Sequence, residues 1–258
     1  MSRVAIVTGA ARGIGAAVVR RLAADGWSVV AVDACADDPA VPYRLGSRAE
    51  LDALSSLGDV TTRAVDVRDV AALAGAVEVA QAVYGGLDAA FAAAGVIAGG
   101  APHWETRVAA EDAVIDIDLR GVLNLARVAV PAMLRRPQPR AGRFVAVASS
   151  AATSGLPLLA AYCAAKAGVA GFVRGLAADL RGTGVTANAV APGSTDTAML
   201  AESALLYGLP SVADFATQQP IERLLTPDEV AAACAWLASE EAAGITGATV
   251  PVDGGLTL

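Results

Sequence analysis

What the sequence is short of settles several questions before any motif is read. It carries three cysteines, Cys35, Cys163 and Cys234, and one histidine, His103. An odd set without CxxC spacing, beside a single imidazole, assembles neither a disulfide framework nor a His/Cys zinc site, so chemistry without a protein-bound metal of that kind is expected. Charged residues are only 17%, and the 19 basic side chains are outnumbered by 26 acidic ones for a net charge of −7. No basic run exceeds a pair such as Arg135-Arg136, which leaves no stripe for a phosphate backbone; nucleic acid is not an expected partner. Aromatics are 4%, and the mean hydropathy of +0.53 comes largely from alanine. The blandest stretch, 89–101, is broken by three glycines and falls short of the ~20 apolar residues of a membrane span. Four apolar residues, Val4 to Val7, are too few for the roughly 7–15-residue core of a secretory signal, so a cytoplasmic protein is expected.

What is present argues for a folded core. Hydrophobic residues are 55% of 258, which excludes a disordered chain and fits one large α/β domain spanning 1–258. Short β-branched or apolar runs at 3–7, 28–32, 61–65, 87–91, 143–148, 185–190 and 249–252 read as seven strands. Between them, 13–24, 70–84, 108–134, 160–181 and 227–239 have helical period, the last opened by Thr226-Pro227 as N-cap and N1. Strict alternation implies a doubly wound Rossmann fold: a mainly parallel sheet with right-handed crossovers and helices on both faces. Two segments break the rhythm. Residues 36–47 are rich in Pro and Asp and read as an ordered loop ahead of a short helix at 48–57, and 135–142 is a basic, Pro-broken turn.

Between the first strand and the first helix lies Thr8-Gly9-Ala10-Ala11-Arg12-Gly13-Ile14-Gly15. Glycines there permit a tight turn and close backbone approach, while free amides and the helix dipole favour a pyrophosphate. Read alone, such a turn is also compatible with no ligand. Asp33, about 20 residues on and at the end of the second strand, supplies the carboxylate that accepts hydrogen bonds from adenosine ribose hydroxyls and repels a 2′-phosphate. That points to NAD rather than NADP, and we let Asp33 decide over the positive charge of Arg12.

At this point the chain resembles the short-chain dehydrogenase/reductase family along essentially its whole length. The motifs are TGAARGIG at 8–15, Asp66-Val67, Ala94-Gly95, Ser149 thirteen residues before Tyr162, Tyr162-Cys-Ala-Ala-Lys166, Asn188, Pro192-Gly193 with Thr195 and Thr197, and VDGG at 252–255. The resemblance implies that Gly9, Arg12, Gly13, Ile14 and Gly15 hold the dinucleotide phosphates, that Asp66 and Val67 contact adenine, that Ala94 and Gly95 line the ribose side, and that Pro192 to Thr197 embrace the nicotinamide. It also implies a homotetramer. Two departures stand out: the family's Asn-Asn-Ala-Gly is Ala92-Ala93-Ala94-Gly95 here, and its Asn on the long helix is Asp118, which alters the proton relay. The segment from Val32 to Val41, AAAGVIAGG at 92–100 and Trp104-Glu105-Thr106 resemble the mycofactocin-associated subgroup. Membership there implies NAD(H) held without exchange and reoxidised by the peptide-derived carrier mycofactocin.

Tyr162 and Lys166 are i and i+4, so both project from one helix face. Ionising a phenol near neutrality takes about 4 kcal/mol, roughly what one cation at ~4 Å provides at an effective dielectric near 20. Lys166 is therefore expected to activate Tyr162 as acid/base, with Ser149 binding the substrate oxygen and Asp118 continuing the relay. Cys163 is expected to be a buried apolar residue, and His103 a solvated or structural one. A lid at 200–219, with Tyr207, Phe215 and few charges, suggests an apolar alcohol or ketone. Two alternatives stay open: an ordinary NAD(P)H-dependent carbonyl or 3-oxoacyl-carrier-protein reductase with exchangeable cofactor, and a non-catalytic dinucleotide sensor.

Overall fold

The computed structural model describes residues 2–258. Seven strands, β1 (Val4–Thr8), β2 (Ser28–Asp33), β3 (Val60–Ala64), β4 (Ala89–Ala92), β5 (Arg143–Val147), β6 (Thr186–Pro192) and β7 (Thr249–Val252), form one sheet in the order β3-β2-β1-β4-β5-β6-β7. Every neighbouring pair is parallel, so the sheet expected to be mainly parallel is wholly so. The order reverses between β1 and β4, which opens a crevice at the carboxyl ends of those strands. β1 runs one residue later than expected. The Arg3 guanidinium lies 4.1 Å from the Trp27 ring and donates to the Ala238 carbonyl, while Thr8 is paired in the ladder with Val32 and Ala92.

The helices are α1 (Gly13–Ala24), α2 (Arg48–Ala53), α3 (Val70–Tyr84), α4 (Val108–Val114), α5 (Gly121–Leu134), α6 (Ala160–Asp179), α7 (Ala198–Leu206) and α8 (Pro227–Ala238). α8 starts with a reciprocal capping box, Thr226 with Glu229, and α3 runs from an Asp69 cap to a left-handed Gly85. The short helix after the loop is α2 continued by a 3₁₀ turn, Leu54–Leu57. The stretch 108–134 is helical throughout, with a π-helical segment, Ile115–Arg120, joining α4 to α5. Ile117 and Asp118 within it are buried. Apolar side chains fill both faces: Val18, Leu22 and Leu237 under one, Leu73, Leu125, Phe144 and Val169 under the other. Each such burial contributes about 1.5–3 kcal/mol. Among the described residues no helix is long and apolar enough to cross a membrane.

Candidate active site

The crevice is a cavity of about 890 Å³ along the carboxyl ends of β1, β2, β4, β5 and β6. At its floor, Gly9 has φ +65, and a Cβ there would stand 2.6 Å from the Ala94 backbone; a Cβ at Gly15 would collide with the Gly9 carbonyl. Only glycine lets β1, α1 and the β4 loop approach this closely. Arg12 occupies the N-cap of α1 without a side-chain cap, so the first amides of the helix face the cavity as an anion-binding end. Across from it, Thr197 approaches Gly13 and caps α7 by accepting from the Leu200 amide at 3.3 Å.

At one end of the cavity, Asp33 accepts from the Ala11 amide (3.1 Å) and the Cys35 amide (3.0 Å). Loop 36–47 crosses this end as a strap. Asp38 binds Arg68 (2.7 Å), which also grips Asp66 at 2.6 Å. The Tyr43 hydroxyl accepts from the Ile97 amide at 3.1 Å, and the Arg12 guanidinium lies 5.7 Å from the Tyr43 ring centroid. Although burial pushes its carboxyl up, the Arg68 hydrogen bonds hold Asp66 net below the usual range. Val67 is buried, and its carbonyl is held by Asn124 at 2.9 Å.

At the other end, Ser149 follows β5 and Tyr162 and Lys166 project from α6, all lining the cavity. Lys166 is the one lysine in the sequence. Its Nζ donates to the Val147 carbonyl at 3.2 Å, lies 5.6 Å from the Tyr162 ring centroid and pairs with Asp118 Oδ2 at 3.1 Å. Asp118 Oδ1 accepts from the Val96 amide at 2.8 Å. A Cβ at Gly95 would press on both partners, at 3.2 Å from Asp118 Oδ2 and 3.4 Å from Nζ.

This arrangement spans the chain, and so do its likenesses. The family described as Enoyl-(Acyl carrier protein) reductase matches residues 9–257. A cis-4-hydroxycyclohexanecarboxylate dehydrogenase of Sinomonas cyclohexanicum is 42% identical, covering 99% of this chain and 96% of its own. A 2-dehydro-3-deoxy-L-rhamnonate dehydrogenase (NAD(+)) of Sphingomonas is 38% identical over 99% and 95%. Carveol dehydrogenase from Mycobacterium avium, solved in complex with NAD, superimposes with a TM-score of 0.93 at 30% identity, covering 98% of this chain and 97% of its own. The chain belongs to the short-chain dehydrogenase/reductase family.

All the site residues named for this short-chain dehydrogenase from its sequence line the one cavity, except Asp118, which stands behind Lys166. Burial sets a cost against the expected activation of Tyr162 by Lys166. Lys166 does favour the Tyr162 phenolate, and Ser149 does too, but burial outweighs them and Asp118 opposes them, so the phenol sits above its ordinary value. For Lys166, burial lowers the ammonium, but Asp118 and then Tyr162 raise it to a net upward shift. Burial likewise keeps Asp118 net raised against the pull of Lys166.

After β4, where the family's Asn pair is Ala92-Ala93, the Thr8 hydroxyl donates to the Phe91 carbonyl (3.3 Å) and accepts from the Ala93 and Ala94 amides (3.3 and 3.4 Å). Asn188 ties β6 to the segment before β7 through Ile245 and Ala248. Gln219, fully buried, was missed. Its amide accepts from the Ser194 amide (2.8 Å) and donates to the Arg223 carbonyl (2.6 Å), fastening the Pro192–Gly193 turn. A lone glutamine in a lid carries no signal that would reveal this. The lid comprises the end of α7 and a 3₁₀ turn, Val212–Gln218; Tyr207 packs edge-on against Phe215 and donates to the Pro157 carbonyl at 2.9 Å.

His103 is exposed, 3.8 Å from Glu111, and does not line the cavity. Cys163 is half-buried and polar in use, its sulfur accepting from the Leu156 amide at 3.4 Å, which corrects the purely apolar role. Cys35 has φ 52, and burial together with Asp33 pushes its thiol up to about 11, away from thiolate chemistry.

Proposed function

We propose that this protein is an NAD(H)-dependent dehydrogenase interconverting an alcohol and a ketone or aldehyde. The observation that carries the reading is one continuous cavity with an uncapped glycine-rich helix start and Asp33 at one end, and Ser149, Tyr162 and Lys166 together at the other. The donor set fits a dinucleotide: helix amides for the phosphates through Gly9 and Gly13 to Gly15, Asp33 for the ribose, Asp66 and Val67 for adenine, Ala94 and Gly95 for the second ribose side, and the 192–197 turn for the nicotinamide. Bound there, NAD supplies the hydride acceptor or donor.

The chain's own residues handle the proton. Ser149 hydrogen-bonds the substrate oxygen and orients it toward Tyr162, whose phenolate removes the hydroxyl proton during oxidation and whose phenol gives a proton to the carbonyl oxygen during reduction. Lys166, fixed by Val147 and Asp118, keeps a cation beside the phenol; Asp118 is a positioning and charge-balancing partner. Leu156, Leu159, Met199, Leu209 and Phe215 line the substrate end and exclude water, which suits an apolar alcohol. Incubating the purified protein with simple secondary alcohols tests the reading by the nicotinamide absorbance band. A Tyr162-dependent rise supports a dehydrogenase; nucleotide binding without any rise would leave a sensor.

The strap supports a finer reading, in which NAD(H) stays bound through turnover and is reoxidised in place by mycofactocin. Mass spectrometry after incubation with isotopically labelled NAD decides between this and an ordinary reductase, for which complete exchange is expected. Exposed Ala164, Ala167 and Ala178 on α6 and Val108 at the start of α4 support a homotetramer, checked by light scattering. The proposed location is the cytoplasm.

A further inference from the structure

The strap does more than cross the adenosine end; it touches the carboxylate that meets the ribose. A Cβ built on Gly46 would stand 2.7 Å from the Ala11 Cβ, 2.9 Å from Asp33 Oδ1 and 3.2 Å from Asp33 Cγ. Even alanine would not fit there without movement, so the Gly46 backbone lies directly against Asp33. Both ends of the strap are anchored: Asp38 on Arg68 at the start, and a capping box at the finish, where Ser47 donates to Glu50 at 2.7 Å and caps the Glu50 amide. Between them the Tyr43 hydroxyl is latched to the Ile97 amide.

The cations around the cavity are committed as well. Three arginines line it. Arg68 is held by two carboxylates, Arg20 faces Asp228 at 3.8 Å, and Arg12 lies over the Tyr43 ring. A phosphoryl group esterified to the hydroxyl that Asp33 receives must sit beside that carboxylate. There it lies against the Gly46 backbone, and each of the three arginines that line the cavity already has a partner.

We propose that residues 43–46 are a second selector against NADP(H), acting through the volume Gly46 occupies and through the engagement of Arg12 by Tyr43, independently of the charge on Asp33. The inference rests on the reading of this cavity as an NAD(H) site. Specificity is then set by two obstacles, one electrostatic and one steric, and removing the first leaves the second.

The test is calorimetric binding of NAD⁺ and NADP⁺ to dinucleotide-free protein, which needs no substrate. The variants are Asp33→Asn, Tyr43→Ala and their combination, each checked for its fold by circular dichroism. Asp33→Asn alone is expected to keep at least about a tenfold preference for NAD⁺, and the double variant to narrow it to about threefold or less through tighter NADP⁺ binding. If Asp33→Asn disturbs the turn that its carboxylate organises, the single variant Tyr43→Ala still decides: its NADP⁺ affinity relative to NAD⁺ must rise at least about threefold over the wild type. Near-equal binding by Asp33→Asn alone, or an unchanged preference once Tyr43 is removed, overturns the selector. Wild-type protein that bound neither dinucleotide would instead remove the NAD(H) reading beneath it.

Discussion

Lys166 Nζ stands 3.1 Å from Asp118 Oδ2, with both side chains buried, so the cation nearest the Tyr162 phenol is already balanced by an anion. Burial keeps Tyr162 protonated above its ordinary range, Lys166 works against that and Asp118 works with it. Replacing Asp118 by Asn removes the opposing charge and leaves the Lys166 field on the phenol uncompensated. The phenolate then forms at lower pH. For alcohol oxidation, which needs the phenolate, the inflection of the pH–rate profile is expected to move toward acid in Asp118→Asn, with maximal activity kept within about tenfold because the amide can still accept from Val96. Profiles of kcat/KM for both proteins check this; an inflection that stays in place or moves toward alkali contradicts the account.

The same pair shows where sequence reading stops. Short apolar runs set between stretches of helical period made the strands and most helices legible, because the central strands are buried on both faces of the covered sheet while each helix buries one stripe. Tyr162 and Lys166 were legible for the same reason, being one turn apart on a regular helix. Asp118 was reached only through the family resemblance, because the π-helical segment that carries it, Ile-Asp-Ile-Asp-Leu-Arg at 115–120, has no residue signature of its own. Gln219 and Gly46 act through partners 25 and 13 residues away, Ser194 and Asp33, that only the folded chain brings near.

Tyr162→Phe keeps the ring packed on α6 and removes the hydroxyl proposed to exchange the proton. Turnover is expected to fall by at least about a hundredfold, with the unfolding midpoint and dinucleotide affinity essentially unchanged. Single-turnover absorbance and calorimetry on the same preparation separate the two effects. Retained wild-type kcat would remove Tyr162 from the chemistry.

Gln219→Leu is close in volume but leaves the buried Ser194 amide without its partner, while the Arg223 carbonyl, on an exposed residue, turns to solvent. The unsatisfied amide is expected to cost about 1–3 kcal/mol of stability. Because the freed turn is the one proposed to face the nicotinamide, the variant is also expected to bind NAD more weakly, whereas a purely structural glutamine would alter the urea midpoint alone. Parallel denaturation and binding curves distinguish these outcomes.

The strap bears on how long a dinucleotide stays. Its Tyr43 latch is a neutral hydrogen bond to a backbone amide within a largely covered site, and its Arg68–Asp38 clasp is an ion pair with the guanidinium 39% exposed. Tyr43→Phe keeps the ring under Arg12 but leaves the Ile97 amide unpaired; the loss, of order 1 kcal/mol, should speed NAD release by up to about tenfold with little change in association. Asp38→Asn removes the charge facing a half-exposed guanidinium, keeps an acceptor for the Ala40 amide, leaves Arg68 on Asp66 and should speed release less, by about threefold or below. Time courses of labelled-NAD exchange followed by mass spectrometry give both rates directly. The order matters more than either size. If Asp38→Asn released NAD faster than Tyr43→Phe, the strap would be governed from its Arg68 end, and the proposed closure over the cofactor would have to be assigned to the clasp rather than to the tyrosine.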